Sequence, residues 1–487
     1  METIDAPPEM RALPGTTAGG YGHWADKPVL REVHGASWGC GAMDQAGVSS
    51  GDAPTGGGSV TGRRRWRLVA GAGLAAVVLA GIALAVFDGD DDPAASSDPG
   101  ATRATGLGPA GDGDPAPASE AEPVLVTVPQ VESSTKVDVP SALRDFRDPS
   151  FPPPLVDPFD VLSGGPPPDG IPPIDAPKFE PADTVTWLQD QEPVLLVEVD
   201  GEARAYPVQV MTWHELVNDT FGDRPVTVSY CPLCNTAIAY DRRLPDRELV
   251  LDFGTSGRLY NSALVMYDRQ TESLWSHFTG QAVIGHLAGA ELETLLVSTV
   301  SWAEFRAAHP EALVLSRETG FDRSYGSNPY PGYDDVNSTP FLFNREADPR
   351  LPAQTRVVSV QGERDSVALV TEYLHDERIV PLVVDDEDLV ALLSRGTASA
   401  LDAGQVAGGR DIGATGVFRP QADGRSLSFE VIDDTTFRDL ETGSTWTILG
   451  EAIDGPLAGT RLERVSHLDT FWFAIAAFRP DTVVIEG

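Results

Sequence analysis

The chain repeats part of itself, and this repeat constrains its fold more than any other feature of the sequence. The segment GQAVIGHLAG (280–289) recurs as GEAIDGPLAG (450–459), and the same offset of 170 residues carries Trp302 onto Trp472. A single shared motif could arise by chance, but a motif and a tryptophan at one spacing indicate two copies of one unit.

A second, upstream offset extends the repeat. At 161 residues it pairs His214 with His375 and NTAIAYD (235–241) with GTASALD (396–402). At this offset Cys231 falls on a leucine and Cys234 on an arginine, so the second copy has no cysteine pair. We therefore predict an internally duplicated fold, and the two predicted modules span residues 161–345 and 346–487.

The repeated unit is predicted to be mainly β with a few short helices, a β-rich α+β fold. Residues 193–208 alternate around Asp200-Gly201, a dipeptide that favours a two-residue hairpin because both positions need positive φ. PVTVSY (225–230) is a β-branched run typical of a strand. SWAEFRAAHP (301–310) has a serine cap and a terminating proline, which predict a short helix.

A run of uncharged residues, LVAGAGLAAVVLAGIALAVF (68–87), is long enough to cross a bilayer as one helix. Four arginines lie within residues 63–67, directly before the run, and basic residues stay cytoplasmic. The sequence therefore predicts a single-pass protein of the cell membrane, with a cytoplasmic N-terminus and an extracytoplasmic C-terminal region. An uncleaved anchor is favoured over a signal peptide because the run begins so far along the chain.

Composition separates the rest of the N-terminal third from the repeated region. Residues 1–67 are rich in Gly, Ala and Ser without an apolar period, which predicts a disordered cytoplasmic tail. Residues 88–160 are dense in Pro, Asp, Ala and Ser, which predicts an extracytoplasmic linker. The net charge of −38 argues against nucleic acid as a partner, because phosphate binding needs clustered Lys and Arg. The membrane, through residues 68–87, is the one partner that the sequence predicts; a protein or small-molecule partner stays undefined.

Two long motifs in the first module, CPLCNTA (231–237) and SGRLYNSALVMYDRQTESLW (256–275), resemble those of a family of exported bacterial and archaeal proteins known only as a domain of unknown function. The resemblance covers about residues 160–487. It implies an exported location and a shared fold, and it implies no activity, substrate or catalytic residue.

The pair Cys231 and Cys234 is the strongest candidate for chemistry. A disulfide across so short a ring constrains the unfolded chain little, which weakens a purely structural role. In a Cys-x-x-Cys pair one thiol commonly attacks and the other resolves, so both are candidate catalytic residues. The surroundings differ from a thioredoxin-type fold, in which a long helix follows the pair. A structural dithiol or disulfide remains an alternative, because extracytoplasmic space is oxidising.

A metal site is a further alternative for the same pair. Two thiolates need additional ligands, and the candidates are His214, in WHELVND, and His277. Cysteine and histidine together suit a transition metal, Cu or Zn. A packed or capping role for His214 competes with this interpretation, because the repeat pairs it with another histidine.

Tyr260 and Asn261 are candidate ligand-binding residues. They lie in the longer motif, and unlike Asp268 and Trp275 they have no clear counterpart in the second copy. Two classes of function therefore remain: a metal- or thiol-based protein centred on Cys231 and Cys234, or a passive ligand-binding or scaffolding ectodomain with a structural Cys-x-x-Cys. The sequence leaves open whether the protein is an enzyme.

Overall fold

The computed structural model describes residues 124–487, and this part of the chain is mainly β with four α-helices and four short 3-10 helices. The predicted tail (1–67) and the predicted span (68–87) lie outside the described residues. Within residues 124–487 no helix is both long enough and apolar enough to cross a bilayer.

The first half of this region carries seventeen strands and two helices. The strands are β1 Val126–Thr127, β2 Val161–Ser163, β3 Lys178–Pro181, β4 Pro193–Val199, β5 Glu202–Pro207, β6 Leu216–Phe221, β7 Arg224–Cys231, β8 Thr236–Asp241, β9 Arg243–Leu244, β10 Leu249–Val250, β11 Phe253–Tyr260, β12 Ala263–Asp268, β13 Leu274–Ser276, β14 Ala282–Ile284, β15 Thr294–Leu295, β16 Val297–Ser301 and β17 Leu313–Leu315. The helices are α1 Val208–His214 and α2 Trp302–Ala308. We call the part from β2 to β17 the first module.

The second half carries fourteen strands and two helices, and we call it the second module. The strands are β18 Arg356–Gln361, β19 Ser366–Val370, β20 Ile379–Val384, β21 Glu387–Ser394, β22 Ala414–Arg419, β23 Gln421–Ala422, β24 Arg425–Ser426, β25 Phe429–Val431, β26 Thr436–Asp439, β27 Thr445–Thr447, β28 Ala452–Asp454, β29 Glu463–Arg464, β30 His467–Phe471 and β31 Val483–Ile485. The helices are α3 Thr371–Glu377 and α4 Trp472–Phe478.

Local sequence signals place several of these elements. The predicted hairpin joins β4 to β5 through Asp200 and Gly201, whose φ angles are 51° and 85°. The predicted helix after Ser301 is α2, and its first turn is closed by a capping box between Ser301 and Glu304. Within WHELVND (213–219), α1 ends at His214 and β6 begins at Leu216.

Three sheets of each module have the same strand order. In the first module the orders are β16-β4-β5-β17, β6-β7-β8-β15 and β11-β12-β13-β14, read within sheets that also carry β1, β2 and β3 at their edges. In the second module they are β30-β18-β19-β31, β20-β21-β22-β29 and β25-β26-β27-β28. In both modules the last strand of the first-named sheet pairs in parallel with its neighbour, while the other pairs are antiparallel.

Matching the elements corrects the upstream alignment of the sequence. Helices α1 and α3 begin at Val208 and Thr371, an offset of 163 residues rather than 161, so His214 corresponds to Glu377 and not to His375. Strands β7 and β21 end at Cys231 and Ser394, which correspond at the same offset.

The connection after these strands explains why the sequence alignment was two residues out of register. In the first module four residues (232–235) join β7 to β8, whereas in the second module nineteen residues (395–413) join β21 to β22. The segment 396–402 therefore lies in a loop and is no counterpart of 235–241. Cys234 belongs to a turn that the second module replaces with this longer loop.

The linker predicted at 88–160 is packed protein at its C-terminal end. The Val137 N–H donates to the Gln270 carbonyl over 2.8 Å and the Leu155 N–H to the Val283 carbonyl over 2.9 Å. Ala142 is fully buried. Prolines keep this segment extended, yet its apolar residues gain from covering the first module, so residues 124–160 form part of the fold.

The two modules share their cores reciprocally. Leu195 and Val197 of β4 face a core built mainly by the first module, to which the second module adds Ala400 and Val406. Leu196, on the opposite face of β4, lies instead in one core with Phe437 and Trp446 of the second module. Successive residues of a strand point to opposite faces, so each face serves a different module.

The strands of the second module are shared between two cores in the same way. Val358 and Leu369 belong to a core within the second module. Val357, Ala368 and the α4 residue Trp472 lie in a core of the first module. Each module therefore depends on a sheet and a helix of the other for one of its two cores.

Both modules also contain the same buried hydrogen bond between an aspartate and a tryptophan. The Asp268 carboxylate accepts the Trp275 indole N–H at 2.9 Å, and Asp439 accepts that of Trp446 at 2.9 Å. Asp268, Asp439 and both tryptophans are fully buried. A carboxylate that accepts several N–H and O–H donors satisfies a buried turn, so a structural role accounts for Asp268 and Trp275.

We predict that Trp302→Ala disturbs the second module as well as the first. The α2 side chain of Trp302 is fully buried in the shared core, so its removal should cost about 3–5 kcal/mol of unfolding free energy. Hydrogen exchange should quicken in β26 and β27, far away in sequence. The reciprocal variant Trp472→Ala should quicken exchange in β12 and β13, and a variant that affects only its own module would contradict shared cores.

Candidate functional site

The cysteine pair sits where β7 turns into β8. Cys231 is the last residue of β7 and pairs with Thr236, the first residue of β8. Asn235 takes a φ of 53°, a left-handed conformation that asparagine tolerates better than most residues. Both cysteines are free thiols, and their residues are 1% and 0% exposed. The tight turn therefore holds two reduced sulfur atoms inside the protein.

The surroundings of Cys231 favour its thiolate. Burial alone would raise the pKa of the Cys231 thiol, but the Cys234 thiol and three backbone N–H groups, of Cys234, Leu264 and Leu233, offset the burial. The pKa of Cys231 therefore lies below its ordinary value. Leu264 belongs to β12, so the cradle is built by two neighbouring segments of the first module.

Cys234 has the opposite character. Burial raises the pKa of its thiol well above the ordinary value, and the hydrogen bond to Cys231 raises it further. The second module holds its backbone: the Cys234 carbonyl accepts the Thr470 hydroxyl at 3.0 Å and the Phe471 N–H at 3.2 Å. The two thiols are thus unequal, with Cys231 the more acidic.

A buried glutamate that the sequence analysis missed lies in the electrostatic field of Cys231. Glu215 is the left-handed residue that ends α1, and its carbonyl accepts the N–H of Tyr230, beside Cys231. Burial raises the pKa of the Glu215 carboxyl well above its ordinary value, and Cys231 adds to this. Burial therefore favours the protonated, neutral form of the Glu215 carboxyl. A lone glutamate in WHELVND carries no local signal of this role.

Two tyrosines complete the surroundings of the thiols. Burial raises the pKa of Tyr330 well above its ordinary value, with Glu215 and Cys231 adding to the shift. Burial likewise raises the pKa of Tyr333 to about 12. Both come from the segment that connects the modules, so the site is assembled from parts distant in sequence. Both phenols are protonated near neutral pH and can donate hydrogen bonds.

The two histidines predicted as metal ligands, His214 and His277, have different hydrogen-bond partners. The His214 ring nitrogens are engaged by the Pro172 carbonyl at 2.7 Å and the Tyr325 hydroxyl at 2.6 Å. The His277 Nδ1 atom meets the Ser229 hydroxyl at 2.7 Å. Burial lowers the pKa of His214 to about 4 and that of His277 to about 3, so both are neutral at physiological pH.

The metal interpretation finds no assembled ligand set. Within residues 124–487 no three His, Cys, Asp or Glu side chains converge as a group that could hold a metal ion. His214 is saturated by its two hydrogen bonds, whereas His277 uses Nδ1 for Ser229 and its buried Nε2 has no partner among the described residues. The structure therefore does not bring Cys231, Cys234, His214 and His277 together as metal ligands.

Tyr260 and Asn261 are neighbours with different surroundings. The Tyr260 ring packs against Phe478, and its hydroxyl accepts from Arg345 at 3.3 Å. Asn261 is 2% exposed, and neither polar atom of its side chain has a hydrogen-bond partner among the described residues. It begins the turn that leads to Leu264, whose N–H faces Cys231. Asn261 therefore remains the stronger ligand-binding candidate of the two.

The comparisons with known proteins identify a family and nothing finer. No curated protein and no solved structure matches the chain. A family described as "Protein of unknown function (DUF3179)" matches residues 168–482, which include most of both modules and the cysteine pair. This is the uncharacterised kind of family that the two long motifs indicated. Because the match covers more than half of its length, the chain belongs to this DUF3179 family.

Proposed function

We propose that the protein carries out thiol–disulfide exchange, with Cys231 as the attacking thiol and Cys234 as the resolving thiol. The observation that carries the proposal is the unequal hydrogen bonding of the two sulfur atoms: the Cys234 thiol and three backbone N–H groups serve Cys231, whereas Thr236 alone serves Cys234. A buried structural dithiol would need no such asymmetry. The thiolate is the nucleophile in exchange, so the cradle favours attack by Cys231.

The reaction balances within the site. The Cys231 thiolate attacks one sulfur of a substrate disulfide, forms a mixed disulfide and releases one substrate thiolate. Cys234 then loses its proton and attacks the Cys231 sulfur, which releases the second substrate thiolate and forms the Cys231–Cys234 disulfide. The substrate gains two electrons and two protons, and the cysteine pair loses them.

The burial of both thiols bears on the substrate. With residues 1% and 0% exposed, the sulfur atoms cannot meet a folded partner on the protein surface. A low-molecular-weight disulfide, which needs only a small local opening to reach the sulfur atoms, is therefore the substrate class that we propose. In this scheme Glu215 relays a proton: its carboxyl, whose protonated form burial favours, gives a proton to the first leaving thiolate and takes up the proton that Cys234 loses.

The duplicated fold and the membrane anchor belong to the same proposal. The matching strand orders support descent of both modules from one ancestral unit, and Ser394 of the second module stands at the position of Cys231. The apolar run 68–87 and its preceding arginines support an anchor that holds the thiol site outside the cytoplasm.

The first prediction from this proposal concerns the two thiols. It is tested in full-length protein that carries Cys40→Ser, so that Cys231 and Cys234 are the two cysteines of the parent protein. With hydroxyethyl disulfide, Cys234→Ser should accumulate a mixed disulfide on Cys231, because nothing resolves it. Cys231→Ser should stay reduced, since the remaining thiol has a raised pKa. Mass spectrometry separates these outcomes, and equal reaction of both variants, or of neither, would return the pair to a structural role.

The second prediction concerns Glu215. Glu215→Gln keeps an uncharged group at neutral pH but removes the proton, so exchange at pH 7 should slow by about 10²-fold or more. The apparent pKa of Cys231 should stay close to that of the parent protein. Glu248→Gln is the matched control, since Glu248 is also a left-handed residue ending a short helix but is exposed. A clear fall in the pKa of Cys231 in Glu215→Gln would mean that Glu215 is ionised, against the proposal.

The third prediction concerns the anchor. Protease added to intact spheroplasts should degrade the region after residue 87, because the proposed topology places it outside. Immunoblotting with antibodies to each end provides the measurement. Protection of this region together with cleavage of residues 1–60 would establish the opposite orientation.

A further inference from the structure

A cleft of about 630 Å³ runs between the start of β18 and one face of α3, and it is separate from the thiol site. Its volume falls within the range of small-molecule sites. Two arginines, Arg356 and Arg410, face six carboxylates in its lining: Asp334, Asp335, Glu372, Asp376, Asp402 and Asp411. We call it the acidic cleft.

Internal contacts neutralise only part of this charge. Asp334 is paired with Arg356 and Arg410, each at 2.9 Å, and Arg410 also meets Asp402 at 3.2 Å. Among the described residues, Glu372 and Asp376 form no ion pair or side-chain hydrogen bond. They lie four positions apart on α3, so they share one face of the helix. An excess of negative charge therefore lines the α3 side.

The opposite wall offers polar atoms that also lack partners in the described part of the chain. They are the oxygens Gln354 Oε1 and Thr355 Oγ1, directly before β18. Gln354 is 1% exposed, and its amide nitrogen is already used by the Tyr333 carbonyl at 3.3 Å. Buried polar atoms without partners are costly, and a bound ligand can supply the missing hydrogen bonds.

We infer that the acidic cleft binds a small organic cation that carries amino groups. An ammonium group has three donors, which match the Gln354 and Thr355 oxygens on one wall and the carboxylates of Glu372 and Asp376 on the other. A metal ion fits less well, because no three acidic, histidine or cysteine side chains of residues 124–487 converge on one point. The negative charge is spread along the cleft, as a cation with several amines requires.

The test uses the full-length protein and spermidine as the probe. Isothermal titration should show saturable binding, and it should weaken at least ten-fold in Glu372→Gln/Asp376→Asn. Glu377→Gln is the matched control, because Glu377 is exposed on the same helix and does not line the cleft. The control should bind as the parent does.

A second variant tests the opposite wall without changing charge. Gln354→Leu removes the unpartnered oxygen and should weaken spermidine binding while the melting temperature of the free protein stays within a few degrees. Equal weakening in Glu377→Gln, binding without saturation, or full competition by millimolar MgCl₂ would each overturn the inference. The first two would indicate unspecific attraction to an acidic protein, and the third a metal site.

Discussion

The alternation of side chains along strands β4 and β18 is the constraint on which the structure depends. One face of each strand packs within its own module and the other face packs in the neighbouring module. A sheet with two apolar faces cannot leave either in water, so neither module can bury its sheets alone. The modules are consequently two halves of one folding unit and not two independently folding domains.

The thiol site takes its character from this arrangement. Cys231 and Cys234 lie in the core that β30 and α4 complete, so the second module supplies one wall of a site whose sulfur atoms come from the first. The dry surroundings raise the pKa of the Glu215 carboxyl and that of the Cys234 thiol. The corresponding position in the other shared core is Ser394, whose hydroxyl donates to Glu304 of the α2 capping box. The same architecture thus carries a sulfur pair on one side and an ordinary polar contact on the other.

Local signals in the sequence were sufficient for local structure. The Asp200-Gly201 hairpin and the Ser301 cap depend on residues close in sequence, and both were predicted. The correct alignment of the upstream parts of the two modules was not predicted. The segments 235–241 and 396–402 have similar sequences, although the connections after β7 and β21 differ in length. The role of Glu215 was also invisible, since its pKa depends on burial by segments far away in the chain. The sequence predicted His214 as a metal ligand, but in the fold its ring nitrogens are used by Pro172 and Tyr325. These partners are distant in sequence, so they could not be predicted from it.

The carbonyl of Cys234 is held by Thr470 and Phe471, which lie close to the C-terminal end of the chain. During synthesis the cysteine pair therefore emerges more than two hundred residues before the strand and helix that cover it. In that interval the two thiols are open to whatever oxidant, metal or carrier the compartment provides. The oxidation state in which the thiols are first enclosed therefore depends on the order in which the chain is made and delivered.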